Sequence, residues 1–369
     1  MNKTLTLCIL TIFSLAACAS QPAATSEAIG STDTLGPSIT NTEMGSPSTT
    51  PEEIVSARSL GPVIIDTDMA LDDWIAILYL LQRPDVDVVA ITVTGTGEAH
   101  CAPGVKNALA LVQLAGETSI PVTCGRETPI EGTHTFPQGW RTRVDDLAGL
   151  DLPDSSEAES RQGAVDLLTE LISNSSEKIT VLTLGPLTNL GEALRAEPGL
   201  AQNIEMVYIM GGAVEVPGNM GFTGIGNEVA EWNIYVDPKA TQLVFDSGVP
   251  ITLVPLDATN LAPLTVAFYD RLGEKAQTPE ANFVYQALTQ NLQFIATEGG
   301  YYFWDPLSAA ILTDEALATF ETVELAVVLE EGPQSGQTIP LEGGASIRVA
   351  VGVDSQQFEQ LLLDVLNSK

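Results

Sequence analysis

A chain of 369 residues with 44% hydrophobic side chains has room for one large domain or two ordinary ones around a substantial core. Its 48 acidic and 15 basic side chains give a formal net charge of -33, which repels phosphate polymers and anionic lipid and argues against nucleic-acid partners or a basic membrane patch. A neutral small molecule or a cation suits this surface better, although solubility alone accounts for most of the carboxylates.

Taken in chain order, residues 1–17 read as an export signal. Lys3 supplies the positive start, and residues 5–15 form an apolar run too short to span a bilayer. The run ends in Leu15-Ala16-Ala17-Cys18, which resembles a bacterial lipobox with Cys18 as the lipidated residue; an ordinary signal with an incidental cysteine is the alternative. The expected location is that of an exported lipoprotein, at the bacterial surface or in the periplasm, touching membrane only through this anchor. Residues 18–58 are rich in Ser, Thr, Pro, Gly and Ala without apolar periodicity, the composition of a disordered tether. Cys101 and Cys124 remain in the folded part; a disulfide and two buried thiols both fit the sequence. No zinc spacing is present.

From residue 62 strands and helices alternate. Strands are predicted at 63–65, 86–93, 121–123, 179–184, 204–210, 251–254, 323–329 and 346–351. Helices are predicted at 72–81, 103–115, 163–173, 187–195, 237–247, 263–272, 280–297, 306–312 and 355–366, the last capped by Asp354. Long loops cover 125–160 and 211–231. The alternation predicts an α/β fold with a mostly parallel central sheet flanked by helices, folded from residue 59 to 369, with ligands beyond the carboxyl ends of the strands.

The segment Asp66-Thr67-Asp68-Met69-Ala70-Leu71-Asp72-Asp73 lies where the first strand meets the first helix. Capping explains Asp72 and Asp73, which favour a helix N-terminus. Asp66 and Asp68 need another reason. Adjacent carboxylates in low dielectric repel unless a cation lies between them, and oxygen-only donors suit calcium or magnesium.

This segment resembles the aspartate signature of the inosine-uridine-preferring nucleoside hydrolases, Asp-Thr-Asp-Pro-Gly-x-Asp-Asp, with Met69-Ala70 in place of Pro-Gly. Thr183-Leu184-Gly185-Pro186-Leu187-Thr188-Asn189, Ile209-Met210-Gly211-Gly212, Ala230-Glu231-Trp232-Asn233 with Asp237-Pro238, and Trp304-Asp305-Pro306 extend the resemblance over about residues 62–366. The resemblance implies calcium-dependent hydrolysis of the N-glycosidic bond of nucleosides. It implies calcium ligation by Asp68, Asp73, Asp305 and the Leu184 carbonyl, with Asp68 also the general base on a water at the ion. It gives ribose contacts to Asp72, Glu231, Asn233, Met210 and Asn227, with Asp66 orienting its neighbours. Asn227 stands closer to Glu231 than the family pattern expects, and a turn asparagine beside Gly226 is an equal reading.

Two departures bear on the base. Glu98 stands where many relatives carry asparagine, and is read as a ribose or base contact, or else a solvated loop residue. Trp304 precedes Asp305 where the pyrimidine-tolerant branch has histidine. Indole stacks on a base but cannot protonate it, so the resemblance leans to the purine-preferring branch, with Trp140 as the candidate second face or else a loop anchor. A pyrimidine or mixed-specificity hydrolase and a calcium-dependent nucleoside- or sugar-binding lipoprotein without turnover are the alternatives. Whether the chain forms a homo-oligomer stays open.

Overall fold

The computed structural model describes residues 60–221, 223–297 and 300–368. The export signal, Cys18 and the 18–58 tether lie outside the described residues, as do Phe222, Glu298, Gly299 and Lys369.

Nine strands form one sheet: β1 (Pro62–Thr67), β2 (Asp87–Val93), β3 (Val122–Cys124), β4 (Ile179–Thr183), β5 (Ile204–Met210), β6 (Ile251–Val254), β7 (Ala318–Val327), β8 (Thr338–Pro340) and β9 (Ala345–Val353). Their order is β3-β2-β1-β4-β5-β6-β9-β7-β8. The first seven in that order run parallel, and β7 and β8 add antiparallel at one edge. The expected mostly parallel sheet is therefore present. Every residue of β4 and β6 is buried, as a strand covered on both faces requires, whereas β7 at the antiparallel end keeps exposed positions.

Two apolar layers close the sheet. One contains the helix Leu71–Leu81, buried at all but its last position, packed with Phe268, Phe303 and Phe358. The other holds Leu168, Leu190 and Val244 over β4, β5 and β6. A third, aromatic cluster groups Phe136, Trp232 and Tyr235, with Trp140 against it.

Some elements differ from the sequence reading for local reasons. The predicted helix over 280–297 divides into Pro279–Gln290 and Leu292–Ile295, because Asn291 leaves helical geometry at φ -115° and its Nδ2 caps the Ala287 carbonyl at 3.0 Å. The first long loop contains a helix, Gln138–Asp145. β8, three residues ending on Pro340, is too short to carry a periodic signal and pairs only with β7. Cys101, at the start of the helix Cys101–Leu114, and Cys124, at the end of β3, form a disulfide, which resolves the open alternative.

Candidate active site

The carboxyl ends of β1, β4 and β5 open into a cavity of about 730 Å³. Asp68, Asp72, Asp73, Glu98, Glu231 and Asp305 all line it, and all but the half-buried Glu98 are buried. The parallel sheet brings them together: β1 delivers the aspartate segment, the turn after β2 delivers Glu98, and the helix Trp304–Thr313 delivers Asp305 in its first turn.

Asp66 does not line the cavity. Its Oδ1 accepts from Thr92 Oγ1 at 2.6 Å and Asn189 Nδ2 at 2.8 Å, tying β1 to β2 and to the helix Thr188–Ala196. Burial pushes its carboxyl up to about 7 against the lowering by those donors. Met69 then turns the chain with φ at 62°. A proline, fixed near about -65°, could not take this conformation, so the Met69-Ala70 substitution builds the turn differently. The left-handed backbone costs about 1–2 kcal/mol. It is held by the Met69 N–H to Thr67 Oγ1 at 3.0 Å and by Trp74 Nε1 donating to the Met69 carbonyl at 2.8 Å.

Asp73 Oδ1 accepts from Thr67 Oγ1 and from the backbone N–H groups of Asp68 at 3.1 Å and Met69 at 3.3 Å. Asp73 Oδ2 and Asp305 Oδ1 are buried without a hydrogen-bond partner among the described residues. Oxygens of Asp72, Asp73 and Asp305 all lie within 4.8 Å of one another. This convergent trio differs from the expected one, having Asp72 in place of Asp68. Asp68 is turned aside by two backbone donors, Ala70 N to Oδ1 at 3.4 Å and Glu98 N to Oδ2 at 3.1 Å. Asp72 is drawn in by Tyr301 Oη at 3.2 Å and Asp305 N at 3.4 Å.

Asp68 sits in a slot that only glycine leaves open. A Cβ on Gly97 would fall 2.1 Å from the Asp68 Cβ, and one on Gly185 would fall 2.6 Å from it. Burial, then Asp73 and Glu98, hold the Asp68 carboxyl well above the usual range. Burial followed by Asp73 pushes Asp72 up to about 7, and burial followed by Asp72 and Asp73 pushes Glu98 up to about 8. Asp73 and Asp305 are also raised, first by burial. Orphaned buried oxygens in an all-oxygen donor set with raised carboxyl pKa values fit a hard divalent cation.

The Leu184 carbonyl, just beyond β4, accepts from Asn233 Nδ2 at 3.0 Å, and the Leu184 side chain packs in the core. Asn233 Nδ2 also reaches the Met210 carbonyl at 3.2 Å and its Sδ at 3.4 Å. Glu231 caps the short helix Trp232–Val236, its oxygens accepting from Asn233 N, Ile234 N and Gly212 N. Leu184, Met210, Glu231 and Asn233 all line the cavity.

Asn227 does not line it, which corrects its assignment as a ribose contact. Its Nδ2 donates to the Ser335 carbonyl at 2.8 Å and its Oδ1 accepts from Val229 N and Ala230 N, so the side chain is spent on pinning the loop. Asn219 lines the cavity instead. In the sequence Asn219 and Asn227 both follow a glycine ahead of Glu231, so no local pattern separates them.

Aromatic side chains form the wall. Trp140 meets Trp232 edge-on at 5.4 Å, and Trp304 meets Tyr301 at 4.9 Å and Tyr302 at 5.7 Å. Trp140 and Trp304 both line the cavity, as do Trp232, Tyr301 and Tyr302, to which the sequence reading gave no role. No histidine lines the cavity among the described residues: His100 pairs with Asp145, and His134 with Glu331 and the Tyr235 carbonyl.

The family model for inosine-uridine preferring nucleoside hydrolases matches residues 63–360. The chain belongs to that family. It is similar to the pyrimidine-specific ribonucleoside hydrolase RihA of Escherichia coli O8 (strain IAI1), 33% identical over 311 residues that span 80% of this chain and 94% of that one. Among solved structures it is similar to a plant nucleoside hydrolase, with a TM-score of 0.75, 29% identity and coverage of 84% of this chain and 99% of that one. It is likewise similar to the purine-preferring ribonucleoside hydrolase of Gardnerella vaginalis, with a TM-score of 0.70, 26% identity and coverage of 83% and 98%. This nucleoside hydrolase is accordingly an enzyme, and the reading as a binding lipoprotein without turnover falls away.

Proposed function

We propose that this nucleoside hydrolase prefers purine ribonucleosides, uses calcium, and has Asp68 as its general base. The observation that carries the purine preference is an aromatic-walled cavity with Trp304 beside Asp305 and no imidazole among its described lining residues. A purine offers a broad face for stacking, and a π-face favours the partly cationic ring that leaves most easily.

Asp72, Asp73 and Asp305 would hold the cation, and Asp68 and the Leu184 carbonyl line the same cavity beside them. The bound cation would supply Lewis-acid polarisation and offset the repulsion between these carboxylates. Asp68 takes a proton from the attacking water, its two oxygens aimed by the N–H groups of Ala70 and Glu98. Asp72, Glu231 and Asn233 receive ribose hydroxyls. Glu231 already accepts backbone hydrogen bonds, but a carboxylate has spare lone pairs for a hydroxyl. The surrounding negative charge stabilises the positive charge that grows on the sugar as the glycosidic bond breaks.

Trp304→Ala is expected to lower kcat/KM for inosine about tenfold or more, and for uridine by less, because stacking is worth about 1–3 kcal/mol per base. Steady-state kinetics on both nucleosides checks this; equal losses remove the stacking role. A pyrimidine preference, favoured by the resemblance to the Escherichia coli enzyme, would show as wild-type uridine turnover at or above that of inosine.

Export as a lipoprotein is part of the same proposal. It rests on Leu15-Ala16-Ala17-Cys18 and is supported by the Cys101–Cys124 disulfide, a bond that persists in oxidising compartments. Metabolic labelling with palmitate is expected to mark the wild type and not Cys18→Ser; label in both, or in neither, defeats it.

A further inference from the structure

Arg141 is buried, yet it does not line the cavity and the chemistry above gives it no part. It follows Trp140 on the helix Gln138–Asp145. Trp140 faces the cavity, while the Arg141 guanidinium reaches the turn after β2. Its Nη2 donates to the Gly95 carbonyl at 2.8 Å and to the Ala99 carbonyl at 3.3 Å, the two ends of the turn that holds Gly97 and Glu98. Its Nη1 donates to Thr135 Oγ1 at 3.3 Å. None of these acceptors is a carboxylate. A buried guanidinium loses hydration that an ion pair would ordinarily offset, so its place here answers to the turn and not to a neighbouring acid. The same helix grips the exit of the turn a second time. There Asp145 accepts from the His100 N–H at 2.9 Å and lies 2.7 Å from His100 Nδ1.

That turn sets the position of Asp68. The Glu98 N–H donates to Asp68 Oδ2 at 3.1 Å, the Ala99 N–H donates to the Asp68 carbonyl at 2.9 Å, and Gly97 leaves the space that the Asp68 side chain fills. We infer that Arg141 is a positioning residue: it clamps the 95–99 turn to the helix of Trp140, so that the Glu98 N–H keeps the Asp68 carboxylate aimed at the attacking water. The inference rests on the reading of Asp68 as general base. Without the guanidinium, the Gly95 and Ala99 carbonyls lose this donor and the turn is free to relax away from Asp68. A misplacement of about 1 Å at a reacting group can cost about 10²-fold in rate. Ribose and base are held by other side chains, so the loss falls mainly on kcat.

Arg141→Met keeps the length of the side chain and removes its donors and charge. On whichever of inosine and uridine the wild type turns over faster, this variant is expected to lose about tenfold or more in kcat, with KM within about threefold. In the Asp68→Asn background the same change is expected to cost less than about twofold more, because groups that act as one unit are not additive. Arg141→Lys, which keeps the charge and one donor group, is expected to recover part of kcat. Hydrogen exchange over residues 94–100 of Arg141→Met, read by mass spectrometry without substrate, is expected to quicken. A merely structural role would lower kcat equally in both backgrounds, and that result overturns the inference, as does unchanged exchange in the turn. Should circular dichroism show Arg141→Met unfolded, Arg141→Lys takes its place in both backgrounds and the same comparison decides; a Lys variant indistinguishable from the wild type also overturns the inference. Near-normal turnover by Asp68→Asn alone defeats the general-base reading, and the inference with it, before Arg141 is touched.

Discussion

Asp68→Asn is expected to lower kcat on inosine by about 10²–10⁴-fold while the protein stays folded, the usual loss when a general base is removed. Asparagine has the same shape, so it fits the slot between Gly97 and Gly185 that rejects a single added carbon. Its Oδ1 can still accept from Glu98 N. What it lacks is a basic oxygen for the proton of water. Folding is not expected to suffer, because the Asp68 carboxyl is raised by burial and by Asp73, and a neutral amide removes that penalty. Circular dichroism and a melting curve check the fold, and single-turnover kinetics check the chemistry. Turnover near the wild-type rate would remove Asp68 as the base.

The second large effect concerns stability without the cation. Burial is the first cause that raises Asp66 and Asp72 to about 7 and Glu98 to about 8, well above ordinary carboxylates. Raised folded-state pKa values mean that the folded protein holds more protons than the unfolded chain between about pH 4 and pH 8. The stabilisation is therefore complete below the unfolded values near 4 and is lost as pH climbs through the folded ones. Stripped protein is expected to melt roughly 10 °C lower at about pH 9 than at about pH 5. Added calcium replaces those protons as the source of positive charge, so its stabilising effect is expected to grow over the same range. Calorimetry in chelator and in excess calcium gives both numbers. A stripped protein that gains stability as pH rises would contradict the buried-carboxylate account.

Much of this was legible in the residues. Buried β-branched runs announced β2, β4 and β5, and four aspartates at one strand end announced the site, because packing gives no reason to gather them there. Asp305, Glu231 and Asn233 came from the resemblance alone, since no local pattern says that the start of a helix more than 200 residues away closes on Asp72. The less legible features depend on tertiary contacts. Tyr301 reads as an ordinary aromatic until its hydroxyl reaches Asp72. Asn219 and Asn227 have similar surroundings in sequence, and only the course of the loop decides that one faces the cavity while the other pins Ser335. Gly97 and Gly185 carry no local sign of their role, which is to make room for Asp68. The break at Asn291 was invisible because the apolar periodicity runs through it.

Calcium titration of metal-stripped enzyme, with inosine hydrolysis as the readout, probes the grouping of Asp68, Asp72, Asp73 and Asp305 most directly. The stripped protein is expected to be inactive and to regain turnover in step with one calcium per chain. Undiminished hydrolysis by protein shown to carry no metal would contradict it.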